Sequence, residues 1–90
     1  MGEAFLGNNP EDMQELVTKI NQAVEQIHQA VSGLDAKATS VQWHGQDANN
    51  FKHTEWPQHK SQLNKVAEDL RSVGQNVAKQ RQQQIETSGH

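Results

Sequence analysis

Apolar residues recur along the first half of the chain at alternating steps of four and three: Met13, Val17, Ile20, Val24, Ile27, Val31, Leu34, Ala38 and Val41. Such a rhythm lays one apolar seam along an α-helix. Leu16, Ala23 and Ala30 widen the seam on one side, as in the broader stripe of a globular helix. Gln14, Glu15, Lys19, Gln22, Glu25 and Gln29 occupy the opposite face. The stretch Asn9-Pro10-Glu11-Asp12 marks the start. Asn is a strong N-cap, Pro suits the first helical position, and acids favour the first turn. A first helix is therefore predicted over about residues 10–41, preceded by an irregular arm over residues 1–8.

The second half keeps the same alternation through Trp56, His59, Leu63, Val66, Leu70, Val73 and Val77, with Ala67, Gly74 and Ala78 at its flank. This predicts a second helix over about residues 47–87, capped by the Asp47 carboxylate and fraying before Ser88-Gly89-His90. Pro57 interrupts the pattern. It has no amide hydrogen and disfavours helical geometry at Trp56. A kink is expected there, or a helix that begins at Pro57 after a shorter helical segment.

The two seams are symmetric about residue 45. Met13 pairs with Val77, Val17 with Val73, Ile20 with Leu70, Val24 with Val66, Ile27 with Leu63, Val31 with His59 and Leu34 with Trp56. The chain is thus expected to fold as a single all-α domain over residues 1–90, an antiparallel helix-turn-helix hairpin with its turn at residues 42–46. Gly45 supplies the backbone freedom that the reversal needs. Trp43 is expected to cover the end of the hairpin, and truncating a buried Trp typically costs about 3–5 kcal/mol. Nearer the turn the register slips, because Val41 would face Asn49 while Ala48 and Phe51 are the apolar choices.

Composition adds a constraint. Only 32% of the residues are hydrophobic and the mean hydropathy is −0.95, a thin supply for a small domain. Pairing two hairpins into an elongated four-helix bundle would bury more apolar surface per residue. The columns of Leu16, Ala23 and Ala30 and of Ala67, Gly74 and Ala78 are the candidate docking flanks. Gly33 and Gly74 each forfeit about 1 kcal/mol in a helix interior relative to Ala. Each marks either a close helix contact or a tolerated surface defect.

Charge and chemistry mostly exclude. The net charge is −3 and the pI about 5.9, so no basic patch points to nucleic acid or to an anionic membrane surface. No apolar run is long enough to insert across a bilayer. The stretch Met1-Gly2-Glu3-Ala4-Phe5-Leu6-Gly7 lacks the basic and apolar regions of a signal peptide, and Leu6 breaks the myristoylation pattern. There are no cysteines, hence no disulfide or thiolate metal site. Among the five histidines, His53 and His59 are six apart and do not share a helix face, unlike a helical metal pair. No nucleophile, phosphate-loop or catalytic motif is present. The expectation is a binding protein with no catalytic residue, cofactor or metal.

One motif sits at the turn: Trp43-His44-Gly45, followed by Asp47-Ala48, Phe51 and Trp56, then Leu63, Val66-Ala67, Leu70, Gly74, Val77 and the Gln-rich run from Gln80 to Gln84. In this mid-chain position, between two amphipathic helices, it resembles the WXG100 (ESAT-6-like) family, the actinobacterial type in particular, over about Pro10 to Ser88. The resemblance implies a hairpin that dimerises with itself or with a related WXG100 partner. It also implies engagement by a type VII (ESX) secretion ATPase and export from the bacterial cytoplasm to the envelope or exterior without a signal peptide, as effector or targeting partner. The family's export signal is a Tyr followed four residues later by Asp or Glu. This chain has no Tyr; Gln82 and Glu86 keep the spacing as a degenerate signal, or a partner carries the signal for both. The rival reading is an intracellular helical-hairpin adaptor, which predicts no dependence on secretion genes and tolerance of change at Trp43.

Overall fold

The computed structural model describes residues 7–88; residues 1–6 of the expected N-terminal arm lie outside them. Helix α1 runs Pro10–Ser40. Its first amides are satisfied as the sequence implies: Asn9 Oδ1 accepts from the Glu11 and Asp12 amides at 2.9 and 3.0 Å. It ends where Val41 turns extended, with the Val41 amide closing on the Lys37 carbonyl.

A short helix α2, Gln46–Asn50, follows the turn and passes through a π-helical turn, Phe51–Glu55, into the long helix α3, Trp56–Ser88. The N-cap of α2 is Gly45, with no side-chain cap. Asp47 lies inside the first turn, so it does not cap the helix as the sequence suggested. The π turn is how the chain handles Pro57. A proline ring clashes with the carbonyl four residues back, here that of His53. Widening the preceding turn, with the Trp56 amide bonded to the Phe51 carbonyl, shifts that carbonyl without breaking the helix.

Helices α1 and α3 lie side by side and antiparallel, making an elongated all-α hairpin of 66 × 18 × 16 Å. Val24 and Val31 of α1, Ala48 of α2, and Trp56 and Ala67 at and beyond the π turn are buried. Along α1 the seam follows the expected series as far as Val31; there Leu34 is half-exposed, and Asp35 at the edge of the seam makes the contact to Trp56. Along α3 the seam is rotated. Two neighbouring faces share Leu63, Leu70 and Val77, and the one that packs carries Ala67 and Gly74. Ala67 is 0% exposed, whereas Val66 and Val73 are 48% and 47% exposed, and His59 is exposed.

The register moves with the seam. A Cβ placed on Gly74 would lie 3.1 Å from Ile20 Cγ2, so Ile20 faces Gly74, one turn beyond Leu70. Trp56 meets Asp35 instead of Leu34. The cause is size: Ala67 and Gly74 let the two backbones approach closely, and the bulkier Val66 and Val73 would hold them apart. At the open end, Arg81 Nε donates to the Pro10 carbonyl at 2.7 Å.

Gly33 has open space around the place of a Cβ, so it serves no close contact within the hairpin. Gly33→Ala is expected to raise stability by up to about 1 kcal/mol through helix propensity alone, read as a higher urea midpoint with unchanged slope.

Candidate functional site

Two surfaces stand out. The first is the hairpin tip. Gly45 has φ 116° and ψ −176°, a region open essentially to glycine alone. Its carbonyl accepts from the Asn49 amide at 3.0 Å, so one glycine both reverses the chain and starts α2. Gly45→Val is expected to cost about 1–3 kcal/mol from backbone strain, although space for the side chain is open; thermal melting by circular dichroism reads it.

Trp43 does not cover the hairpin end as a buried residue. It is 41% exposed, tilted 44° against the Phe51 ring at a centroid distance of 5.7 Å. The buried tryptophan is Trp56, at 8% exposure. Its indole Nε1 donates to Asp35 Oδ1 at 2.9 Å. The other carboxylate oxygen of Asp35 pairs with Lys60 Nζ at 3.1 Å. The Trp56 hydrogen bond, then Lys60, holds the Asp35 carboxyl below the usual aspartate range. A depressed folded value means that this contribution to stability is fully present above the unfolded value and is lost as pH falls through the folded one. Lys52 Nζ donates to the carbonyls of Val41 and Trp43, both at 3.2 Å, and so ties the end of α1 and the turn to the π turn. Between these groups lies a cleft of about 440 Å³, walled by Trp43, Trp56 and Pro57 and rimmed by His44, His53 and Lys60.

The second surface is one long side of the hairpin. In an antiparallel pair, positions one step before the seam in each heptad share a side. Counting from the observed seam, these are Leu16, Ala23 and Ala30 in α1 and His59, Val66 and Val73 in α3. Leu16, Val66 and Val73 stand exposed there, and Leu34 and Leu63 turn toward the same side at the edge of the seam. The other side is polar. It carries Asn21, His28 and Asp35 from α1, with His28 Nε2 4.0 Å from Glu68 Oε2 and Arg71 Nε 3.6 Å from the same oxygen.

No family model, curated protein or solved structure matches this chain.

The remaining expected site residues fall as follows. Val24, Val31, Trp56, Ala67 and Gly74 are buried, and Ile20, Ala23, Ile27, Phe51, Leu70 and Val77 half-buried. Ala30 is exposed. Gln82 Nε2 bonds Glu86 Oε2 at 3.5 Å on the exposed surface of the last turns of α3. Among the described residues no three His, Cys, Asp or Glu side chains are grouped to hold a metal, and no helix is long and apolar enough to cross a membrane. Sequence reasoning missed Asp35, Lys52 and Lys60. A carboxylate beside the seam next to Leu34 and a lysine next to His59 were the available signals. Lys52 gave none, because its acceptors are main-chain carbonyls.

Proposed function

We propose that this chain is a non-catalytic binding protein of the WXG100 (ESAT-6-like) type, which assembles through its apolar side with a second copy or a related hairpin into an elongated four-helix bundle and is exported by a type VII secretion system. The observation that carries the assembly is the segregation of exposed apolar residues. Of the seven exposed large apolar side chains among the described residues, five, Leu16, Leu34, Leu63, Val66 and Val73, gather on one side, and Trp43 and Ile85 lie toward the two ends of the hairpin; between those ends the opposite side is charged and hydrogen-bonded. A contiguous apolar face rimmed by polar residues marks an interaction surface, and helical hairpins cover such faces by bundling. The export proposal rests on the Trp43-His44-Gly45 turn between two long helices and on the spacing of Gln82 and Glu86 near the end of α3. With Tyr absent, the signal is either this degenerate pair or one supplied by the partner.

Sedimentation equilibrium of the purified chain tests the assembly. A self-associating face gives a dimer, and the double variant Val66→Glu/Val73→Glu gives a helical monomer, because two carboxylates per copy would be buried unpaired. A wild-type monomer that becomes helical only with a co-expressed hairpin would assign the face to a different chain. Export is tested separately. The protein should appear outside the cell in a strain with an active type VII system and remain in the cytosol when the secretion ATPase is deleted. Retention in the cytosol of the active strain would favour the intracellular adaptor instead.

A further inference from the structure

We propose that the cleft at the hairpin tip is a binding site for an organic anion with a flat apolar body, of the aromatic carboxylate class. Charge is the first argument. The protein carries a net −3, yet the cleft is lined by Lys52 and Lys60 against one carboxylate, Asp35, with two imidazoles, His44 and His53, beside them. Asp35 offsets Lys60. Lys52 is offset by nothing, because its ammonium is held by two neutral carbonyls and makes no ion pair among the described residues. A positive charge fixed in place at the edge of a cleft favours an anion.

Donor capacity is the second argument. An ammonium has three N–H donors. Lys52 gives two of them to the Val41 and Trp43 carbonyls, which leaves one. Lys60 gives one to Asp35, which leaves two. Both ammonium groups already have partners at the cleft, so part of their ordering cost is met before a ligand binds. Shape is the third argument. The walls are the Trp43 and Trp56 side chains with Pro57 and Ala38, and half-exposed Trp43 presents an aromatic face for stacking. A volume of about 440 Å³ lies in the range of small-molecule sites. Asp35 places the cleft on the polar side of the hairpin, opposite the apolar face. It therefore stays open when that face is covered, and the inference does not rest on the assembly proposed above.

The test uses the full chain and two probes of one shape, N-acetyl-tryptophan as its carboxylate and N-acetyl-tryptophanamide. Titration is followed by the two indole N–H resonances in a nitrogen–proton correlation spectrum. The expected result is saturable movement of the Trp43 resonance with the carboxylate at millimolar concentration or below, and about tenfold weaker binding of the amide, as for loss of one charge-assisted hydrogen bond. Lys52→Gln keeps a donor for the carbonyls and removes the charge. It should weaken carboxylate binding by a similar factor while the far-ultraviolet dichroism stays unchanged. Lys60→Gln is the second variant, should Lys52→Gln disturb the fold. Equal binding of both probes, undiminished binding by the folded variants, or no saturable shift with either probe would overturn the proposal.

Discussion

Trp56→Ala should be the most damaging single truncation in the chain, with an expected loss of about 3–5 kcal/mol. The residue is one of the few large side chains that are buried, and its indole nitrogen makes the hydrogen bond to Asp35 that joins the first helix to the start of the third. Removal leaves a cavity at the tip and deprives the carboxylate of the donor that most lowers its pKa. A loss of that size is a large fraction of the stability of any small domain. Trp43→Ala should cost only about 1–2 kcal/mol, since a half-exposed ring gives up less transfer energy and one aromatic contact. Urea titration of both variants orders them. If Trp43→Ala proved the costlier, the assignment of the two tryptophans would be reversed.

Ala67→Leu is expected to destabilise the hairpin by about 1–3 kcal/mol, although leucine is among the better helix formers. Ala67 has no exposed surface, and three added carbons must push the backbones apart. Val66→Leu, one residue away and half-exposed, should lie within about 0.5 kcal/mol of the parent. Gly74→Leu should behave like Ala67→Leu, because its Cβ position already sits against Ile20. Equal stability of Ala67→Leu and Val66→Leu in thermal melts would mean that the seam on the third helix runs through Val66 after all.

The hairpin itself could be read from the sequence because heptad spacing and one turn glycine are local signals. The first helix was well marked for the same reason: Asn9, Pro10 and the acids after them act within a few residues of each other. The face of the third helix was not. Heptads built on Leu63, Leu70 and Val77 fit Val66 and Val73 as well as Ala67 and Gly74, and hydrophobicity favours the valines. What decides is how closely two backbones can approach, a property of the pair. The tip was misread on the same ground. Trp43 and Trp56 are equally apolar, but only Trp56 finds a carboxylate to receive its N–H, and that carboxylate, Asp35, sits where the pattern called for Leu34. The π turn before Pro57 lies between the two outcomes, since proline demands a disturbance without specifying its form.

The hydrogen bond between Arg81 and the Pro10 carbonyl joins residues 71 positions apart, the far extreme of a ladder that begins near the tip with Lys52 on the Val41 carbonyl, 11 apart, and Trp56 on Asp35, 21 apart. Closing the long loop before the short one forfeits more chain entropy. The helices are therefore expected to zip from the tip outward, with Arg81 engaging last. Opening runs in reverse, so amide protons near Pro10 and Arg81 should exchange with solvent well before those around Val31 and Trp56, and the molecule has a soft end and a hard end along a single rod.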